Sequence, residues 1–231
     1  MASGCIVVTG GGGALGGAVV RELAHRGYEV AIVDSAKAEG RAKEIAASLG
    51  GKAVAFGFDV TSSEAWTTAV AAIEKRGMPI IGAALIAGGW AGGKPVHEES
   101  DDTVWHRMLQ ANTETAYQSV RALLPGMVAH KHGSIVIVGS RAVERPFTSA
   151  NAAAYAVSKT AAVALAEVVA EEVRDSGVRV NAVMPSTIDT PANRIAMPNV
   201  DPNKWVKAES IAKVIAFLVS DDARDVSGAA I

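Results

Sequence analysis

The chain has 231 residues, 49% of them hydrophobic and 20% charged. That length and composition suit one α/β domain with a large buried core. A net charge of −2 argues against a partner held through nucleic-acid phosphates. No apolar run of membrane-spanning length stands out, no N-terminal leader is expected, and no metal is assigned. The single cysteine, Cys5, points to a reducing cytoplasm and to a small core residue rather than a disulfide or a reactive thiol.

Residues Gly4 to Thr9 are short, apolar and β-branched, as a central parallel strand requires. Gly10 to Gly13, Ala14, Leu15 and Gly16 follow and open a helix expected to reach Arg26. Gly11, Gly13 and Gly16 fit the spacing G-x-G-x-x-G, which lets backbone N–H groups approach a pyrophosphate at a helix N-terminus. The next strand, Tyr28 to Val33, is ended by Asp34, 18 residues past Gly16. A carboxylate there bonds ribose hydroxyls and repels a 2′-phosphate, so NAD(H) is expected over NADP(H).

A helix is expected over Lys37 to Leu49, a strand over Lys52 to Phe58 ended by Asp59, and a helix capped by Thr61 or Ser62. Ile80 to Ala87 reads as the fourth strand and runs into the glycine-rich Gly88 to Gly93. Such glycines lie where open α/β sheets bind ligands. One long helix is expected from Ser100 or Asp101 to Met127, with Asn112 in its middle, where asparagine is disfavoured.

The fifth strand, Ser134 to Gly139, leads to Ser140 and then to an alanine-rich helix that carries Tyr155 and Lys159. Four residues apart, these two share a face. An ammonium beside a phenol favours the phenolate, which suits a general acid/base for carbonyl–alcohol chemistry. Val178 to Met184 is the sixth strand. Residues Thr187 to Trp205 carry three prolines and three asparagines and read as a lid. Lys207 to Val219 is an amphipathic helix, and Gly228 to Ile231 starts a further strand. The alternation throughout predicts a single doubly wound Rossmann-type domain over 1–231, a parallel sheet of about seven strands flanked by helices.

With these motifs in place the chain resembles the short-chain dehydrogenase/reductase family along almost its whole length. The family's first turn corresponds to Thr9-Gly10 through Gly16, with Ala14 in place of a glycine. Its asparagine after the fourth strand is lost, leaving Ile86-Ala87-Gly88, at the cost of a structural bond. The resemblance implies cofactor contacts from Gly10, Gly13, Ala14, Leu15, Gly16, Asp34, Asp59, Val60, Ala87, Gly88 and Pro185. Ile188 and Thr190 would hold the carboxamide.

It also implies a tetrad of Asn112, Ser140, Tyr155 and Lys159, with Tyr155 exchanging the proton and Ser140 orienting the carbonyl. Lys159 would bond the nicotinamide ribose and lower the Tyr155 pKa, and Asn112 would bond backbone and water in a proton path. The spacing from Ser140 to Tyr155 is longer than usual for the family. A homodimer or homotetramer built on the long helices is implied as well.

The expected function is NAD(H)-dependent interconversion of a carbonyl and a secondary alcohol on a small molecule. A narrower likeness is to the dihydropteridine reductases, an NADH-using branch of the same family, through the Gly10–Gly16, Ala87–Gly93 and Thr187–Arg194 segments. That branch lacks the serine and asparagine of the tetrad, which Ser140 and Asn112 supply here. A non-catalytic NAD-binding sensor is the third reading. Trp90, His97, Arg141, Arg145, Phe147, Arg194 and Trp205 are candidates for the substrate pocket or for loop anchoring, and the arginines after Ser140 point to an anionic substrate.

Overall fold

A computed structural model describes residues 4–231. Residues 1–3, where the absence of a leader was expected, lie outside it. The described chain alternates strand and helix: β1 (Cys5–Thr9), α1 (Ala14–His25), β2 (Glu29–Asp34), α2 (Glu39–Ala47), β3 (Ala53–Gly57), α3 (Ser63–Glu74) and β4 (Ile80–Leu85). After β4 come α4 (Thr103–Met108), α5 (Thr115–His130), β5 (Gly133–Val138), α6 (Ala153–Glu172) and β6 (Val178–Val183). The last elements are β7 (Ile188–Asp189), α7 (Pro191–Ala196), β8 (Val206–Lys207) and α8 (Ala208–Val219).

Six strands form one parallel sheet in the order β3-β2-β1-β4-β5-β6. The order reverses between β1 and β4, which opens a crevice at their carboxyl ends. The apolar runs of β1 and β5 are buried along their whole length because helices cover both faces. Alternation divides β1 between two cores: Ile6 and Val8 join Leu15, Val19, Ile211 and Ile215, whereas Cys5 and Val7 join Leu123, Ile135, Val163 and Val169. Each fully buried aliphatic side chain contributes about 1.5–3 kcal/mol. Cys5 is one of these core residues, and burial pushes its thiol up to about 12, so it is inert at neutral pH.

The seventh strand is reduced to a strip. Ala182 N–H donates to Ala229 O at 2.8 Å and Ile231 N–H to Ala182 O at 3.0 Å, with a parallel bridge at Ala182 and Ala230. Asn181 and Arg179 anchor this strip from β6. The Asn181 amide bonds Val226 O and Ala229 N–H, and the Arg179 guanidinium donates to Leu218 O and Ser220 O.

One expectation needs correction. The long helix from residue 100 to 127 is interrupted: a π turn over Leu109–Glu114 separates α4 from α5. Asn112 lies in that turn, and its side chain bonds outside the helix. One described helix, α6, is 20 residues long and apolar enough to cross a membrane by length and composition alone. Its Ala162, Val163, Ala166 and Val169 are packed in the core, which accounts for the apolar composition.

Candidate active site

The crevice at the switch point has a volume of about 1130 Å³ and is lined by the glycine turn, Asp34, Asp59–Thr61, Ile86–Gly88 and Thr190–Ala192. Of the expected cofactor residues, Gly10, Gly13, Ala14, Leu15, Gly16, Asp34, Asp59, Val60, Ala87, Gly88 and Thr190 thus face one space. Pro185 and Ile188 sit half-buried after β6.

The turn is built for close backbone approach. Gly10 has φ +67°, and a Cβ there would touch the Ala87 backbone at 3.0 Å. A Cβ on Gly16 would lie 2.1 Å from Gly10 O. Helix α1 begins at Ala14 with no side-chain cap and no acidic residue in its first turn. Its free N–H groups therefore face the crevice, and the residues present fit a dinucleotide with its pyrophosphate at this helix end. Gly16→Ala forces a methyl into the Gly10 carbonyl, which cannot move away without breaking the turn. The expected cost is roughly 1–3 kcal/mol of stability, read by denaturant unfolding; a midpoint equal to that of the unmodified protein would contradict it.

Asp34 is fixed before any ligand arrives. Its Oδ2 accepts from Gly12 N–H at 2.8 Å and its Oδ1 from Ser35 N–H at 2.8 Å. At the neighbouring strand end Asp59 Oδ1 accepts from Thr61 N–H and from the Thr61 hydroxyl. Trp66 Nε1 donates to Val60 O at 2.9 Å, which holds Val60 in the wall of the crevice.

Thr9, which the sequence marks only as the strand end before the glycine turn, ties the switch point together. Its buried hydroxyl oxygen accepts from Ile86 N–H at 3.0 Å and Ala87 N–H at 3.2 Å. It ties the ends of β1 and β4 together beside the lost asparagine.

The four tetrad positions converge at the carboxyl ends of β4 and β5. Asn112 is buried, and its Oδ1 accepts from Gly89 N–H at 2.9 Å, while Nδ2 donates to Gly89 O at 3.1 Å and to Ser158 Oγ at 3.0 Å. The π turn frees this side chain from the helix surface so that it can reach both. A Cβ placed on Gly88 would lie 2.6 Å from Asn112 Oδ1 and 3.3 Å from Lys159 Nζ, so Asn112 and Lys159 flank the same small space.

Ser140 is pinned by the turn after β5. Its Oγ accepts from Ala142 N–H at 3.2 Å, and Arg141 N–H donates to Pro185 O at 3.0 Å. Ser158 is a residue the sequence reading missed. Fully buried, it accepts from Asn112 and donates to Tyr155 O at 2.8 Å, linking the π turn to the helix that carries Tyr155. The only local signal was a small polar residue on the buried face of α6.

The electrostatics differ from the expectation. Burial raises the Tyr155 phenol above its ordinary value, and the Ser140 hydroxyl opposes this by hydrogen bonding. Lys159 is not among the groups that shift it. Instead Lys159 Nζ donates to Val138 O at 2.8 Å, and burial pushes its own pKa down to about 8. The ammonium is held at the strand end, and burial of the phenol keeps Tyr155 a protonated acid at neutral pH.

The pocket candidates separate into two groups. Trp205 is buried, and Arg194 is bound to Asp189, so both are tied down within the 187–205 segment. Trp90 and Phe147 are exposed by 65% and 79%, and Arg141, Arg145 and His97 are exposed as well.

The family model described as short chain dehydrogenase matches residues 4–200. The chain is similar to 2-(S)-hydroxypropyl-CoM dehydrogenase 3 of Xanthobacter autotrophicus, at 33% identity over 97% of this chain and 92% of that protein. It is 30% identical to 2,5-dichloro-2,5-cyclohexadiene-1,4-diol dehydrogenase of Sphingobium indicum, over 96% of this chain and 91% of that one. Among solved structures, a 3-oxoacyl-[acyl-carrier protein] reductase with bound NAD from Brucella melitensis superposes with a TM-score of 0.83. It is 26% identical and covers 99% of this chain and 88% of its own.

Proposed function

The chain belongs to the short-chain dehydrogenase/reductase family, and from that premise we propose that it interconverts a carbonyl and a secondary alcohol on a small molecule, using NAD(H). The observation that carries this reading is the meeting of Asn112, Lys159 and Gly88 at the end of a crevice whose other end is the glycine turn and Asp34. The relatives above are named for dehydrogenation and for carbonyl reduction, which favours the carbonyl–alcohol reading over the pterin one. The same domain would span the whole chain, with residues 187–205 as its lid and the cytoplasm as its compartment.

The nicotinamide supplies or takes the hydride; the protein supplies position and a proton. In the direction of reduction Tyr155 gives its phenolic proton to the carbonyl oxygen as carbon accepts hydride. Ser140 donates a hydrogen bond to the same oxygen and holds it toward Tyr155. Lys159 would hold the ribose hydroxyls when the cofactor is bound, and its positive charge near the phenol would then lower the Tyr155 pKa. Asn112 keeps the Gly88–Gly89 backbone in place and passes its order to Tyr155 through Ser158. The deprotonated phenol is recharged from solvent through this polar cluster. A screen of NADH oxidation against ketones and quinonoid dihydropteridine tests the assignment; turnover of the pterin alone, with no ketone reduced, would overturn it.

Cofactor choice follows from Asp34, whose oxygens keep free lone pairs for ribose hydroxyls. We expect NADH to bind at least about tenfold tighter than NADPH, roughly 1.4 kcal/mol. Lys37 and Arg41 also line this end of the crevice. Asp34→Ala therefore removes the repulsion and leaves two cations for a 2′-phosphate. Its NADPH-to-NADH affinity ratio should rise. Equal affinities in the unmodified protein, measured by fluorescence titration, would contradict the assignment.

The long helices α5 and α6 expose Tyr117, Val128, Val157 and Val168. These apolar faces support a homodimer or homotetramer, which sedimentation would read directly.

A further inference from the structure

The lid is closed at its base by charge. Strand β7 pairs with β8 so that Ile188 faces Val206 and Asp189 faces Lys207, and Val206 N–H donates to Thr187 O at 2.9 Å. The Asp189 side chain is only 7% exposed, and both of its oxygens are bound. Arg194, from α7, donates Nε to Oδ1 at 2.6 Å and Nη2 to Oδ2 at 2.9 Å. Lys207, from β8, donates to Oδ2 at 2.5 Å. One carboxylate thus joins the strand entering the lid, the helix inside it and the strand leaving it.

Strand alternation puts Asp189 on the face opposite Ile188 and Thr190. Those two neighbours are held on their own side: Asn193 Nδ2 donates to Ile188 O at 2.8 Å, and Asn193 N–H donates to Thr190 Oγ1 at 3.1 Å. Thr190 also lines the cofactor crevice. We infer that Asp189 is a positioning residue: clamped by Arg194 and Lys207 behind the lid, it fixes Ile188 and Thr190 against the nicotinamide end of the cofactor. This rests on the reading above that Ile188 and Thr190 meet the carboxamide.

The physical argument is one of order rather than of buried charge. Both cations are more than half exposed, so without Asp189 they return to water at little cost. What is lost is closure of the segment between β7 and β8, whose exposed Ile195 and Val200 give it little packing of its own. The core is untouched, and a variant at this position should fold. The adenosine half of the crevice, at Asp34 and the glycine turn, lies on other elements and should not respond.

The test compares NADH with ADP-ribose, which lacks the nicotinamide, by titration calorimetry. For Asp189→Asn the NADH affinity should fall roughly tenfold, while that of ADP-ribose should stay within about twofold. Lys207→Met removes one arm and keeps the arginine fork, so its NADH affinity should fall by less. Limited proteolysis between residues 190 and 206 should be faster in Asp189→Asn without ligand, and NADH should protect it less than it protects the unmodified protein. Equal loss for both ligands would mean general damage, and no loss for either would mean that the clamp is idle; both overturn the inference alone. Failure of the unmodified protein to bind either ligand would overturn the cofactor reading and this inference with it.

Discussion

Tyr155→Phe is expected to lower turnover by roughly 10²–10⁴-fold, about 3–5 kcal/mol in the barrier, with NADH affinity changed by less than about tenfold. The substitution removes one oxygen and keeps a half-buried ring. That oxygen faces Ser140, whose hydrogen bond pulls the phenol pKa down while burial raises it. The net shift is upward, so before ligands bind the hydroxyl carries its proton at neutral pH. Carbonyl reduction consumes that proton and should hold its rate until the pH approaches the phenol pKa. Alcohol oxidation needs the deprotonated form and should gain rate as pH rises. Opposite pH trends in the two directions, both abolished in Tyr155→Phe, would establish the role.

Ser140→Ala refines this result. A severe loss means that the substrate carbonyl must be oriented, as for a ketone. A mild loss favours an acceptor that needs less help. Near-full turnover by Tyr155→Phe on a confirmed substrate would remove the acid assignment altogether.

Lys159→Met is expected to abolish turnover and to make the protein more stable at neutral pH. The amine is buried, and its pKa falls from 10.5 to about 8 because the interior disfavours the charge. Below about pH 8 both folded and unfolded chains hold the proton, and the folded state bears the whole penalty, roughly 3 kcal/mol. Between about pH 8 and 10.5 the unfolded chain binds more protons than the folded one, so stability rises with pH. Above that window the penalty is gone.

Methionine fills similar volume without the charge. It strips Val138 O of its donor, which costs about 1–3 kcal/mol. At pH 7 the remaining gain is on the order of 1 kcal/mol, or a few degrees in Tm for a domain of this size. The gain should shrink as pH rises through the window. The same variant should lose NADH affinity, because the ammonium no longer reaches the ribose. A methionine variant less stable than its parent at pH 7 would show that the lysine is there for packing. Greater stability with no activity would show a charge kept buried for its chemistry.

Much of the site could be read before the fold was known, because its signals are local. The glycines from Gly10 to Gly16 follow a β-branched run and precede a helix, and Asp34 ends the next strand; spacing along the chain is enough to place them. Tyr155 and Lys159 are four apart on one helix, so they share a face whatever that helix packs against. The apolar runs of β1 and β5 specify buried parallel strands without reference to a partner.

Other features were settled only in three dimensions. The π turn around Asn112 appears in no periodic pattern. It is held by bonds from Asn112 to Gly89, 23 residues away, and to Ser158, 46 residues away. Thr9 reads as the end of a strand until its oxygen is seen to accept from Ile86 and Ala87, 77 and 78 residues on. Arg194 reads equally as a pocket residue or a loop anchor until its fork onto Asp189, shared with Lys207, decides for the anchor. Lys159 reads as a partner of Tyr155, yet burial directs it to Val138 O. The reason is the same in each case: periodicity and spacing report the backbone within a few residues, whereas the bond a polar side chain makes depends on which distant backbone the packing brings within reach. Sequence alone determined the fold class and the residues gathered at the sheet's edge; tertiary structure decided which of them hold one another, because those hydrogen bonds join chain segments that only the folded sheet makes neighbours.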